Sequence, residues 1–425
     1  MATPLLNQTT VEEKLIWYGL VLSYPMYVLG ALYVWGSVLG WLMLALVILR
    51  CWVDGRADYG PVPLIVWLWV TAMALMLVAL IVAHIDWQLG LAKTIKSTIG
   101  WAKGWALLAL FLLLGAVLPF RLALLTRGTC IVAAQSIILA LISLVAVALG
   151  WSGEIYLSPL KAIGGPGYEF FTVRWFALNL ETGLPRWSFF APWAPAAGLM
   201  SCICLVICWQ EQNPRWRALG IIGTAVMCLL CQSRAGWVLF AGLIPLLVLF
   251  GRAISPSMLL VAAIATVVMM LSSQWLFEHG NDAYQHIKDS RPDSTRVRSA
   301  LADIALQRWQ AEAPIWGHGI VERGPKMVEY MPIGTHHSWY GLLFVKGAVG
   351  ALALALPLAI TVIYLLVDAF RSAVSRTALL LALTLVGYSF FENLEILVYL
   401  FWPALLWIGA ALNPLKTNAL QKVAY

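Results

Sequence analysis

The stretch VPLIVWLWVTAMALMLVALIVAH, residues 62–84, decides the fold of this chain. It contains no aspartate, glutamate, lysine or arginine, and it is longer than the roughly 20 apolar residues that an α-helix needs to cross a bilayer. Similar stretches recur along all 425 residues, which are 62% hydrophobic and 11% charged, with a mean hydropathy of +0.85. Soluble domains carry about 25% charged residues, so the composition predicts an all-α polytopic membrane protein.

The hydrophobic pattern predicts about twelve transmembrane helices. They are expected at 16–33, 35–52, 62–84, 99–120, 128–151, 191–209, 216–232, 235–251, 256–273, 339–366, 376–392 and 396–412. Two long polar segments interrupt this series. The chain is thereby divided into N-terminal helices (1–151), a first long loop (152–190), central helices (191–273), a second, partly helical loop (274–337) and C-terminal helices with a tail (338–425).

Basic residues in the short loops predict the orientation. They concentrate in alternate connections, as cytoplasmic loops of membrane proteins do: Arg50, Arg56, Arg121, Arg127, Arg215, Arg217, Arg252, Arg371 and Arg376. Both termini are therefore expected in the cytoplasm, and both long loops in the periplasm if the cell is Gram-negative. The net charge of +7 is scattered between the spans rather than massed, which argues against nucleic-acid binding.

The second long loop contains most of the histidines of the chain. Five of the six histidines lie there, with five arginines: His279, His286, His318, His336, His337, Arg291, Arg296, Arg298, Arg308 and Arg323. Asp293-Ser294-Thr295 offers helix caps, apolar residues follow at near-helical spacing, and Pro314 ends the pattern. We therefore expect a helix that lies on the membrane surface or on the bundle.

Two short motifs at the predicted outer face carry residue types suited to catalysis. His336 and His337 stand where the second loop re-enters a span, and a histidine there is suited to act as a general base near neutral pH. The alternative is an interfacial histidine that is merely hydrogen-bonded. Arg234 follows Ser233 between two apolar spans, where an arginine costs about 2.5–3.5 kcal/mol and is either functional or extends to the interface.

Further arginines indicate an anionic ligand. Arg296 and Arg298 lie in the second loop, and Arg174 and Arg186 in the first. The simpler interpretations are a solvated helix face and interface anchors, respectively. Together with Arg234 they suit a phosphate or pyrophosphate, because a planar guanidinium binds such oxygens through two hydrogen bonds. No His/carboxylate cluster has metal-ligand spacing and no phosphate-binding glycine loop occurs, so we expect neither metal nor cofactor.

Several of these motifs resemble the O-antigen ligase/polymerase superfamily of lipid-linked glycan transferases. That family has a Pro-x-x-Gly-x-Gly loop, a His-Asn-type motif with two later glycines, a Ser-Arg element that opens a span, an arginine before a helix, and a Pro-Asn at the start of the sixth span. The corresponding residues here are Ala313-Pro314-Ile315-Trp316-Gly317-His318-Gly319, Thr335-His336-His337-Ser338 with Gly347 and Gly350, Ser233-Arg234-Ala235-Gly236, Ser294-Thr295-Arg296, and Arg186 through Gly198. Pro192-Trp193 stands in place of Pro-Asn.

The resemblance implies roles for individual residues. Counting back eleven residues from Gly347 puts the general base at His336, and a register shifted by one puts it at His337. The implied pyrophosphate ligands are arginines, two of which compete for a single family position: Arg186, Arg234, Arg296 and Arg298. Further donor or acceptor contacts are expected from Arg174, Arg291 and His318.

The implied reaction transfers O-antigen glycan from undecaprenyl pyrophosphate to lipid A–core oligosaccharide in the bilayer of the inner membrane, without a metal and with inversion at the anomeric carbon. An O-antigen polymerase is the alternative within the family. A protein oligosaccharyltransferase is disfavoured by the short tail after Leu412. A polytopic transporter, the alternative of another class, is disfavoured because no internal repeat is visible and few charges fall within spans.

Overall fold

The computed structural model describes residues 10–53, 61–178, 183–250, 292–334 and 337–416, with side chains from residue 296 onward in the fourth range. The described chain is mostly helical. Its helices are α1 (Val11–Val21), α2 (Ser23–Val28), α3 (Leu32–Val53), α4 (Leu64–Asp86), α5 (Leu91–Lys103), α6 (Trp105–Val117), α7 (Leu122–Ala148), α8 (Ala194–Trp209), α9 (Pro214–Cys231), α10 (Arg234–Phe250), α11 (Pro292–Glu312), α12 (Ser338–Asp368), α13 (Ala373–Ser389) and α14 (Leu394–Ala411).

The helices confirm the predicted class of polytopic membrane protein. Among the described residues, seven helical stretches are long and apolar enough to cross a membrane, and the shorter apolar helices α8, α10 and α13 accompany them. The predicted span 256–273 lies outside the described residues, so the total of twelve stays a prediction.

Two predicted spans differ from the structure. The first, 16–33, begins earlier and consists of α1 and α2. The fourth, 99–120, is divided at Gly104 into α5 and α6. None of the α5 residues is buried, because its lysines alternate with apolar side chains and favour the boundary between lipid and water. Periodicity alone did not separate this amphipathic helix from the span that follows it.

Helix α1 begins at the same end of the bundle at which α14 ends. Glu13 in the first turn of α1 binds Arg121, which follows α6, with an Nη2–Oε2 distance of 2.9 Å. Lys416, after the last helix, donates from Nζ to the Gly115 carbonyl near the end of α6 at 3.1 Å. We call this the inner end and the opposite one, where α6 and α14 begin, the outer end. The arrangement agrees with the predicted even number of spans, and the assignment of the outer end to the periplasm stays a prediction.

The first long loop contains structure that the sequence analysis did not predict. Two small antiparallel sheets are formed by β1 (Glu154–Leu157) with β2 (Thr172–Arg174), and by β3 (Ala177–Leu178) with β4 (Pro185–Arg186). Two 3-10 turns, Pro159–Ile163 and Tyr168–Phe170, lie between β1 and β2. The Tyr27 hydroxyl donates to the Arg174 carbonyl at 2.9 Å and accepts from its N–H at 3.0 Å, which fixes the sheets on the outer end of α2.

Helix α11 confirms the predicted helix in the second loop and packs on the rest of the protein. It ends at Glu312, shortly before Pro314, which cannot continue a helix. Its apolar residues Val297, Leu301 and Ala305 are buried in a small separate core. Val328 and Ile333 from the following segment and Phe344 from α12 complete this core. Of the two expected positions, the one on the bundle is therefore correct.

Helix α12 is broken at Gly347. Its φ of 62° and ψ of −163° are not helical, and they interrupt the hydrogen-bond ladder of a helix that otherwise runs over 31 residues. Residues 313–319, which we call the crossing loop, pass over this break. A Cβ on Gly347 would lie 2.2 Å from the Ile315 carbonyl oxygen, and one on Gly317 would lie 2.5 Å from the Gly347 nitrogen. Only glycines allow the two backbones to approach this closely.

Four hydrogen bonds join the crossing loop to the break. The N–H groups of His318 and Gly319 donate to the carbonyls of Phe344 and Val345 at 2.8 and 2.9 Å. The N–H groups of Ala348 and Val349 donate to the carbonyls of Pro314 and Ile315 at 2.9 and 3.2 Å. Residues 344 and 348, and 345 and 349, would pair with each other in an unbroken helix. The loop thus satisfies the groups that the break releases, as a low-dielectric environment requires.

We expect a side chain at the break to disrupt the fold. Gly347→Ala places a Cβ against Ile315 and forces an L-residue into a backbone conformation that is nearly restricted to glycine and costs about 1–3 kcal/mol. The apparent melting temperature in detergent, followed by tryptophan fluorescence, should fall. Gly242→Ala on α10 is the control, because its Cβ meets nothing within 4 Å and the substitution should leave the melting temperature unchanged or raise it. Equal shifts for both variants would contradict the role assigned to the break.

Candidate functional site

Arg186 lies on β4 and is held by the end of α9. Its Nε donates to the Cys231 carbonyl at 2.9 Å, and its Nη2 donates to the Gln232 carbonyl at 3.3 Å. Gln232 ends the helix with a φ of 50°, and its Nε2 donates to the Pro185 carbonyl at 3.1 Å. The guanidinium therefore lies at the outer end, against the carbonyls of the residues two and three positions before Arg234.

Arg234 opens α10 where three helices meet closely. The Ser233 hydroxyl accepts a hydrogen bond from the Gly236 N–H at 3.2 Å and so caps the helix. A Cβ on Gly236 would lie 3.1 Å from the Cα of Gly198 on α8 and 3.1 Å from the Tyr388 hydroxyl on α13. The half-buried Arg234 is thus fixed at the N-terminus of α10, where the helix dipole adds to the attraction for an anion.

Glu392 is a buried carboxyl group in the turn between α13 and α14, at the outer end. It is 2% exposed, and its Oε2 accepts a hydrogen bond from the Trp193 indole at 2.8 Å. Burial raises the pKa of Glu392 from 4.5 to about 7, and the nearby guanidiniums of Arg298 and Arg186 oppose this rise. Two arginines from different long loops therefore act on one buried carboxyl group.

Arg296 and Arg298 have different surroundings, although only one residue separates them. Arg296 donates from Nη1 to the Met327 carbonyl at 2.9 Å and faces Glu329 at 4.0 Å, so it is directed towards the turn that follows the crossing loop. Arg298 is the one whose charge acts on Glu392. Residues two positions apart on an α-helix are separated by about 200° around its axis, so Arg296 and Arg298 point in different directions.

His337 is the N-cap of α12. Its Nδ1 accepts hydrogen bonds from the N–H groups of Trp339 and Tyr340 at 3.2 and 3.5 Å, and its ring stacks on Tyr340 at 4.1 Å between centroids. A neutral ring with an accepting Nδ1 carries its proton on Nε2. Burial lowers the pKa of His337 from 6.5 to about 4, so the ring is neutral at pH 7.

Ser338 joins the start of α12 to the turn that holds Glu392. Its hydroxyl donates to the Glu392 carbonyl at 2.7 Å and accepts from the Leu394 N–H at 3.0 Å. The side chain is buried and both of its hydrogen-bonding functions are used. His337, which precedes Ser338, is therefore connected to the same turn on which Arg186 and Arg298 act.

The remaining candidate residues lie elsewhere or outside the described ranges. Arg174 has a largely buried side chain, 3.9 Å from Glu154. His318 is 1% exposed, and its Nε2 lies 2.8 Å from Glu312 Oε2, so its ring faces the protein interior. Two candidates fall outside the described residues: Arg291 and His336.

Sequence reasoning missed Glu392 and Trp193 as members of the site. Glu392 belongs to a Glu-Asn-Leu-Glu turn that signalled only a boundary between spans. Trp193 is the residue that stands where the related family has asparagine, and its indole donates a hydrogen bond as an asparagine amide would. The tryptophan in place of asparagine was a feature of the sequence that could have indicated this role. Within the part of the chain that the structure describes, no group of three His, Cys, Asp or Glu side chains is arranged to hold a metal ion.

The apolar helices and the arginines at their outer end define a polytopic α-helical membrane protein with basic side chains gathered at one end. Residues 218–355, which include α10, α11, the crossing loop and the break in α12, match the family model described as O-Antigen ligase. The match confirms, over this segment, the predicted resemblance to that family. The match implies glycan transfer of the ligase/polymerase type. No curated protein matches the chain.

Glu392 predicts a pH dependence of stability. Because its pKa is raised from 4.5 to about 7 on folding, its contribution to the free energy of unfolding is complete below pH 4.5 and is lost as the pH rises to about 7. His337, whose pKa is lowered to about 4, has the opposite slope between pH 4 and 6.5. We therefore expect the apparent melting temperature of the wild type minus that of Glu392→Gln to fall across pH 4.5–7. A pH-independent difference would show that Glu392 does not titrate in this window.

Proposed function

We propose that this protein is an O-antigen ligase that transfers O-antigen glycan from undecaprenyl pyrophosphate to lipid A–core oligosaccharide at the periplasmic face of the inner membrane. The main support for this proposal is that Arg186 and Arg298, which come from separate polar segments, both act on the buried Glu392. The turn that carries Glu392 is hydrogen-bonded to Ser338 at the start of α12. A polyprenyl pyrophosphate keeps its tail in the bilayer and its phosphates at headgroup level, which is where helix ends lie. The family match supports glycan transfer as the reaction class.

Three arginines are proposed to bind the pyrophosphate of the donor. Arg186 is bonded to the carbonyls of Cys231 and Gln232, just before Arg234 opens α10, and Arg298 acts from α11. Guanidiniums bind phosphate oxygens through paired hydrogen bonds and stabilise the negative charge that develops on the leaving diphosphate. Arg298 is favoured over Arg296, because Arg296 is engaged with the turn at Met327.

His336 is proposed as the general base, and His337 as its structural neighbour. In the related family an asparagine follows the catalytic histidine, and asparagine is among the best N-cap residues. His337 occupies the N-cap of α12 and uses its accepting nitrogen there. This supports the register that places His337 on the asparagine position and His336 on the catalytic one.

The proposed reaction is a single displacement. The acceptor hydroxyl oxygen forms a bond to the anomeric carbon, its proton passes to His336, and the bond from that carbon to the pyrophosphate oxygen breaks. Undecaprenyl pyrophosphate leaves with the electron pair, which the arginines stabilise. Attack opposite the leaving group inverts the anomeric configuration. With so good a leaving group, no metal ion is needed in this scheme.

Complementation distinguishes the ligase from the polymerase, which uses the same kind of donor but a second lipid-linked glycan as acceptor. In a ligase-deficient strain with rough lipopolysaccharide, we expect the gene to restore polymer on lipid A–core, and without it polymer should accumulate on the undecaprenyl carrier. Rescue of a polymerase-deficient strain instead, seen as repeats longer than one unit, would overturn the ligase assignment. Failure in both strains would contradict glycan transfer.

The histidine pair gives a second test. His336→Ala should lower transfer by at least about 10²-fold, the usual contribution of a general base. His337→Asn should retain transfer, because asparagine caps a helix well, whereas His337→Ala should lose about 0.5–2 kcal/mol of stability with the cap. Transfer would be measured on purified protein in nanodiscs, with the folded fraction checked by size-exclusion chromatography. An active His336→Ala and an inactive His337→Asn would reverse the assignment.

A further inference from the structure

A hydrogen-bonded group of charged side chains lies outside the proposed catalytic residues, where α11 meets the crossing loop. Arg308 donates to both oxygens of Glu312 from Nε at 3.0 Å, and its Nη2 lies 2.8 Å from Oε2. Its Nη1 donates to Glu322 at 2.6 Å. Oε2 of Glu312 is also 2.8 Å from Nε2 of His318. Glu312 therefore joins the last turn of α11 to the crossing loop.

His318 carries this connection to α12. Its Nδ1 lies 2.9 Å from the Phe344 carbonyl, and its ring lies between the rings of Phe344, at 4.2 Å, and Trp87, at 5.0 Å. Both polar partners of the ring, the Phe344 carbonyl and the Glu312 carboxylate, are hydrogen-bond acceptors. The guanidinium carbon of Arg308 also lies over the Phe344 ring, 5.2 Å from its centroid.

The two helices joined in this way carry opposite halves of the proposed site. Arg298 lies ten residues before Arg308, about 15 Å along α11, and His337 caps the other helix ahead of its break. A rotation of α11 at Glu312 would therefore displace Arg298 relative to the histidine pair. The apolar contacts of α11 resist separation, but such contacts are non-directional and fix rotation less well than hydrogen bonds do.

We propose that Glu312 is a positioning residue that fixes the orientation of α11 relative to α12 through Arg308 and His318. An exposed ion pair alone contributes little to stability. Here, however, a bidentate arginine and a histidine that is 1% exposed bind one carboxylate from two elements. Glu312 therefore contributes to the geometry of the site rather than to the amount of folded protein. The kinetic part of this proposal rests on the proposed glycan transfer, whereas the structural part does not.

The test compares Glu312→Gln with Asp303→Asn, which removes the same charge from an exposed position on the same helix. We expect Glu312→Gln to lower kcat by about 10-fold to 100-fold, the usual effect of a misplacement of about 1 Å. The KM for the lipid-linked donor should change less than kcat, since Arg186 and Arg234 do not lie on α11. Arg308→Lys, which keeps the charge but loses the bidentate geometry, should lower kcat in the same direction. Asp303→Asn should match the wild type.

A distance measurement separates positioning from loss of folded protein. Spin labels would be placed at Gln307 on α11 and at Leu352 on α12, both exposed, in a Cys51→Ser background because Cys51 is the exposed one among seven free cysteines. Glu312→Gln should broaden or shift the distance distribution, and Asp303→Asn should not. An unchanged distribution for Glu312→Gln overturns the proposal, whatever the activity. If the wild type shows no glycan transfer but Glu312→Gln still shifts the distance distribution, the proposed function is overturned and the positioning role is retained.

Discussion

The four hydrogen bonds between the crossing loop and the break in α12 are the constraint on which the outer end depends. A helix interrupted near lipid leaves N–H and carbonyl groups that cost several kcal/mol each if unpaired. The loop supplies partners for two of each, which requires backbone contact that only Gly317 and Gly347 permit. The positions of α11 and of the start of α12 follow from this junction, because the loop is continuous with the first and bonded to the second.

The distribution of charge follows from the membrane environment. Charges at the inner end pair with one another, as Glu13 and Arg121 do, and such pairs hold the helix ends together. At the outer end a buried carboxyl group, Glu392, is acted on by two arginines from different polar segments. An excess of guanidinium over carboxylate at the end of a bundle favours an additional anion there.

The sequence predicts the class of fold well and the site in part. Continuous apolar runs identify membrane helices because lipid selects so strongly for them, and the caps and Pro314 located α11 correctly. The sheets of the first long loop escaped prediction because their strands are two to four residues long and show no periodicity. Amphipathic α5 was merged with α6 because a hydropathy window averages across Gly104. Glu392 was missed because its importance comes from partners distant in sequence, Trp193 and Arg298.

The same long-range contacts determine how the proposed site would respond to its donor. With a pKa of about 7, Glu392 is near the midpoint of its titration, and the arginines favour its charged form. A pyrophosphate bound to Arg186 and Arg298 would withdraw that stabilisation and add negative charge nearby, so the neutral form of Glu392 would gain. The carboxyl group would then take up a proton as the donor binds. The arginines would exchange one anion for another without leaving a second buried negative charge beside the phosphates.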